Sequence, residues 1–174
     1  CLLIPIFITF ILITTETFAK KAAIVIDFDS QEVLFEVNAD TKNYPASLTK
    51  IMTLYILFDQ LEKGQLKNQT KLKVSKIAAS RSPSKLYLEE GSSIKVEDAV
   101  MALIIKSAND VATVVAENIS GSEEEFAKLM TSYAKNLGMN NTNFKNASGL
   151  PNRAQLTTAR DISILAYSLI SNFP

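Results

Sequence analysis

Pro45-Ala46-Ser47-Leu48-Thr49-Lys50-Ile51-Met52-Thr53-Leu54-Tyr55-Ile56-Leu57-Phe58 is the stretch on which the reading of this chain turns. The run after Lys50 is apolar on nearly every side and too long for a simple strand. That predicts a helix buried on most faces. Ser47 and Lys50 are three apart, so they are neighbours on one face of its first turn. Ser47 then falls where unpaired backbone N–H groups and the positive end of the helix dipole favour a developing anion. A hydroxyl and an amine so placed are a candidate nucleophile and base.

Composition sharpens this by exclusion. The 174 residues contain no histidine, so no Ser-His-Asp or Cys-His site and no histidine-ligated metal can be built. The one cysteine is Cys1. A nucleophile here is Ser or Thr, and its base is Lys. Lysine serves only where burial or a cationic neighbour lowers its pKa enough to populate the neutral amine. No cofactor is expected. With 18 basic and 18 acidic residues and no basic stripe, nothing points to a nucleic-acid partner.

Residues 2–13 form an apolar run broken by Pro5 and Thr9, followed by Thr17-Phe18-Ala19 ahead of Lys20-Lys21. The run is short for a membrane span and reads as a secretory signal peptide, incomplete at its start, over residues 1–19. A retained anchor is the other reading. Cys1 precedes the apolar run, whereas a lipidated cysteine would follow it. Cleavage after Ala19 would leave 155 of the 174 residues, one domain spanning 20–174. The expected location is the bacterial periplasm or the outer face of the cytoplasmic membrane.

Along the rest of the chain, 22–28 and 32–37 are β-branched runs separated by Asp29-Ser30-Gln31, which predicts a hairpin. The Ser47 helix should stop near Gly64. Strand-like pieces follow at 72–74 and 94–96, then apolar helices over 99–106 and 110–119. Ser122 with Glu125 predicts a capping box before a helix over 126–137, and Thr158 with Asp161 repeats it before a helix over 162–170. Residues 140–155, rich in Asn, Gly, Ser and Pro, read as a loop. The pattern is α+β.

Ser-x-x-Lys alone is weak. The chain holds four matches, Ser47/Lys50, Ser82/Lys85, Ser92/Lys95 and Ser132/Lys135, and only Ser47 opens a buried helix. A second element is more telling. Ser107-Ala108-Asn109 is the only Ser-x-Asn of the chain and lies between two apolar helices. Read alone, Ser107, Asn109 and Asp110 could as well end one helix and cap the next.

Together the two motifs resemble the penicillin-recognising serine transpeptidase-like superfamily, with its Ser-x-x-Lys, Ser-x-Asn and Lys-Thr-Gly elements. The resemblance is closest to the low-molecular-mass penicillin-binding proteins, the D-alanyl-D-alanine carboxypeptidases. It runs over 22–171 through Ala22-Ala23-Ile24-Val25-Ile26-Asp27, Tyr44 to Thr53, Ile105 to Asp110, Asn146-Ala147-Ser148-Gly149-Leu150-Pro151 and Thr157-Thr158-Ala159-Arg160-Asp161. It implies a β-lactamase/transpeptidase-like fold, a helical cluster packed on an antiparallel sheet. None of the five glycines follows Lys-Thr or Lys-Ser, so the Lys-Thr-Gly strand is missing. The C-terminal sheet strands are therefore expected to be absent, leaving an exposed edge and bare apolar helix faces. The simplest account is a piece of a longer reading frame.

By resemblance, Ser47 attacks the penultimate D-Ala of a peptidoglycan stem peptide and Lys50 takes its proton. Ser107 relays a proton to the leaving amine and hydrogen-bonds Lys50. Asn109 holds the substrate amide and helps fix Lys50, and the Ser47 N–H is one oxyanion donor. Partners so implied are stem peptides ending in D-Ala-D-Ala, β-lactam antibiotics as covalent inhibitors, and a membrane reached through a C-terminal segment outside this chain. The loop 146–152 either borders the site or is an ordinary capped turn. Alternatives are a β-lactamase, disfavoured because 140–155 contains no acidic residue, an inactive or degenerate wall-binding domain, and a structural domain in which Ser47 is only a cap.

Overall fold

Met52, Ile56 and Leu57 are fully buried on α1 (Thr49–Glu62), and the architecture is organised around that helix. The computed structural model describes residues 21–174; the signal-peptide reading of 1–19 lies outside them. Three further long helices pack against α1: α4 (Asn109–Ser120), α5 (Glu123–Asn136) and α6 (Ala159–Asn172). Phe126, Met130, Met139, Phe144 and Leu165 fill the space between them. Each such side chain contributes about 1.5–3 kcal/mol by leaving water.

The predicted hairpin is β1 (Ala23–Ile26) and β2 (Val33–Val37), antiparallel, with Val25 opposite Phe35 and Ala23 opposite Val37. Its turn is held by Asp27, whose Oδ1 accepts from Ser30 N–H at 2.8 Å. A second antiparallel pair joins β3 (Lys71–Lys73) to β4 (Ser93–Lys95), with Leu72 and Ile94 opposite one another and buried. Among the described residues these are two separate two-stranded sheets. The β1–β2 hairpin lies against α6 through the Phe28 and Tyr167 rings, 5.1 Å apart. Arg160 adds polar ties to Asp40 Oδ1 at 2.8 Å and to Glu36. Every residue of β2 is exposed, and so are Met101, Ile104 and Ile105. The exposed edge and apolar faces expected from the sequence are present.

Both N-cap bonds form: Ser122 Oγ accepts from Glu125 N–H and Thr158 Oγ1 from Asp161 N–H, each at 3.1 Å, while the Glu125 carboxylate accepts from Lys128 and does not reach back to Ser122. The Asp161 carboxylate likewise does not close its box. It turns inward, accepting from Asn141 N–H at 2.8 Å and Thr142 Oγ1 at 2.6 Å. Two local readings need correction. The helix expected over 99–106 is α3 (Val96–Met101) continued by a π-helical turn, Ala102–Lys106. A four-residue helix unforeseen in the sequence, α2 (Lys76–Ala79), is capped by Ser75 Oγ. No helix among the described residues is long and apolar enough to cross a membrane.

Candidate active site

Three chain segments meet at Lys50: the start of α1, the turn into α4, and the loop 145–150. Ser47 does not stand in an α-helical first turn. Ala46–Leu48 form a 3₁₀ turn and the α-helix begins at Thr49. The Ser47 N–H, at the very start of the winding, has no backbone partner among the described residues, while the tighter turn lets Leu48 N–H bond Pro45 C=O. Ser47 is exposed and Lys50 is only 3 % exposed.

The Lys50 amine is held from two sides. Its Nζ donates to Asn109 Oδ1 at 2.8 Å and to the Ser148 carbonyl at 2.6 Å. Burial lowers its pKa from 10.5 to about 8, because the charged form is stripped of water. Asn109 is fixed in turn: its Nδ2 donates to Ser82 C=O at 2.9 Å and its N–H to Ser84 C=O at 2.7 Å. Ala108, not Asn109, is the N-cap residue of α4, so the Asn109 side chain is free to face Lys50. Asp110, fully buried, accepts from Leu86 N–H and Leu88 N–H at 3.0 and 3.1 Å and ties down the same 82–88 segment.

Ser107 ends the π-helical turn in a left-handed conformation, φ +54°. Its hydroxyl makes no hydrogen bond among the described residues; the bond expected to Lys50 is replaced by that of the Ser148 carbonyl. Ser107 nevertheless shares a cleft of about 550 Å³ with Ser47 and Lys50, walled by Ile51, Leu54, Leu103 and Ile104. A second cleft of about 520 Å³ lies beside Pro45 and Ala46, between Tyr44 and the rim residues Leu150, Pro151 and Arg153.

The loop 145–150 was the part of the site least legible in sequence. Its side of the site is built by contact with α1: Thr53 Oγ1 donates to Ala147 C=O at 2.7 Å. Gly149 has φ +85°, and a Cβ there would stand 1.8 Å from the Ala46 carbonyl oxygen. Only glycine permits both the dihedral and the approach. Glu123 accepts from Ala147 N–H at 3.1 Å while paired with Arg81. The signal in the sequence was Asn146 two residues before Ser148, the spacing of an Asx-type turn, with Gly149 next.

The fold and these motifs are of the transpeptidase-like class. The family model for D-alanyl-D-alanine carboxypeptidase matches residues 12–174, and the chain belongs to that family. D-alanyl-D-alanine carboxypeptidase DacF of Bacillus subtilis is 41 % identical over 150 residues, covering 86 % of this chain and 39 % of that protein. The crystal structure of the D-alanyl-D-alanine carboxypeptidase DacD from Francisella tularensis aligns with a TM-score of 0.87 at 40 % identity, over 90 % of this chain and 38 % of that one. Penicillin-binding protein D2 from Listeria monocytogenes, solved in an ampicillin-bound form, aligns with a TM-score of 0.79 at 32 % identity, over 88 % of this chain and 62 % of that one. The chain thus spans about two-fifths of the length of the curated relative.

Proposed function

We propose that the protein to which this chain belongs is a serine-type D-Ala-D-Ala carboxypeptidase that removes the terminal D-Ala from peptidoglycan stem peptides. The observation that carries this reading is the state of Lys50. A neutral amine has two N–H bonds and one lone pair. Asn109 Oδ1 and the Ser148 carbonyl occupy two donor positions, which leaves the lone pair for the Ser47 proton. A pKa of about 8 keeps an appreciable neutral fraction near pH 7.

Ser47 Oγ attacks the carbonyl carbon of the penultimate D-Ala as its proton passes to Lys50 Nζ. The tetrahedral oxyanion lies against the Ser47 N–H. The C–N bond then breaks, and the terminal D-Ala departs as its amine gains a proton through Ser107. Water hydrolyses the ester on Ser47, Lys50 taking the water proton and returning it to Ser47. Asn109 holds Lys50 and the substrate amide. β-Lactams acylate the same Ser47 as substrate mimics. The enzyme works after export, in the periplasm or at the outer face of the cytoplasmic membrane.

Labelling by a fluorescent penicillin tests this in the longest polypeptide its reading frame encodes and in the 174-residue chain alone. A covalent band that disappears in Ser47→Ala is the expected result for the longer polypeptide. Absence of that band from folded protein overturns the reading. A band only in the longer polypeptide would show that the three segments described need further groups, at roughly 10²–10³ in rate for one missing oxyanion donor.

A further inference from the structure

Five successive backbone N–H groups beside Lys50 donate to side chains. Lys145 and Asn146 N–H reach Gln155 Oε1 at 2.9 and 3.0 Å. Ala147 N–H reaches Glu123 Oε1 at 3.1 Å. Ser148 and Gly149 N–H reach Asn146 Oδ1 at 3.2 and 2.7 Å. An irregular segment can be buried only when its donors are matched in this way. Gln155 differs from the other acceptors. It is uncharged, 2 % exposed, and outside the segment it holds. Its Nε2 also stands 3.5 Å from Thr49 Oγ1, the residue next to Lys50. One carboxamide therefore spans the join between the nucleophile helix and the loop whose Ser148 carbonyl takes the Lys50 amine.

We propose that Gln155 is a positioning residue for Lys50, pinning the 145–146 backbone beside Thr49 so that the Ser148 carbonyl stays on Nζ and water stays off it. Without Gln155, the Lys145 and Asn146 N–H groups lose their acceptor and must find water. The loop is then tied to the rest of the domain by Glu123 and Thr53 at Ala147 and by Lys50 itself at the Ser148 carbonyl, and the amine hydrates. The role assigned to Gln155 rests on Lys50 being the base, but its test does not require turnover.

Gln155→Met keeps the volume and removes the acceptor. The Lys50 Cε resonance in lysine-labelled protein, assigned by its loss in Lys50→Met, reports the titration directly. The midpoint near 8 is expected to rise toward that of an ordinary lysine in Gln155→Met. The acid limb of penicillin acylation should move up with it. Leu165→Ala hollows the core on α6 and serves as the control that only loses stability; its Lys50 midpoint should not move. An unmoved midpoint in folded Gln155→Met, or an equal movement in Leu165→Ala, overturns the proposal. Should Gln155→Met fail to fold, amide exchange in the unaltered protein decides. Protection of Lys145 and Asn146 to the level of α1 is expected, and exchange at the rate of an open loop overturns it. Absence of penicillin labelling in the unaltered protein would sink the carboxypeptidase reading instead, with the Lys50 titration still decisive for Gln155.

Discussion

The β1–β2 hairpin and the Lys50 cluster are opposites in how they are held. The hairpin is local: its two strands are joined by a short turn, and Val33–Val37 keep their side chains in solvent. The Lys50 cluster is assembled from afar, with hydrogen bonds to residues 59 and 98 positions away, and it buries a titratable amine. Burying polar groups is tolerable only where each finds a partner, so the cluster must be rigid where the hairpin need not be. Of the two regions, the Lys50 cluster is the one whose buried polar groups are matched partner by partner.

The largest expected effect tests that rigidity. Gly149→Ala forces a methyl against the Ala46 carbonyl in a left-handed conformation. It should cost about 2–4 kcal/mol in urea unfolding and abolish acylation. Asn109→Ala comes next. It unpairs Ser82 C=O and takes one acceptor from Lys50, so a loss of about 1–3 kcal/mol and a strong fall in acylation rate are expected. A stability loss without a rate loss would reduce Asn109 to a structural tie.

The pH dependence is subtler. The folded pKa of Lys50, about 8, lies below its ordinary 10.5. Between these values the unfolded chain binds more protons, so stability should rise with pH through that window and be lowest, as far as Lys50 is concerned, below pH 8. Lys50→Met should flatten that rise in denaturant titrations. Acylation in the unaltered protein should climb through pH 7–9 as the neutral amine accumulates. The smallest effect belongs to the hairpin. Arg160→Ala cuts exposed ties to Asp40 and Glu36, which surface screening makes weak. It should speed amide exchange in 23–37 and leave α1 untouched. A global loss of stability would erase the contrast between the two regions.

Legibility followed the same division. The hairpin, both N-caps and the buried α1 were readable because each depends on residues a few positions apart. Motif order singled out Ser47, Lys50, Ser107 and Asn109; the first three line one cleft, and Asn109 accepts from the Lys50 amine. The π-helical turn at 102–106, which delivers Ser107 with φ +54°, was not readable: its apolar run has helical periodicity, and winding is settled by what packs on it. Nor was the replacement of Ser107 by the Ser148 carbonyl as the second Lys50 partner. A backbone carbonyl carries no residue signature.

What the amino-acid order by itself determined is a histidine-free chain whose candidate nucleophile and base, Ser47 and Lys50, lie three residues apart at the start of an apolar helix. Only the tertiary structure decided that Lys50 is buried, that Asn109 and Ser148 hold it, and that Gly149 touches the Ser47 turn. The physical reason is range. Periodicity and caps act within a turn or two, whereas a lysine's pKa answers to the water removed by every segment that closes over it.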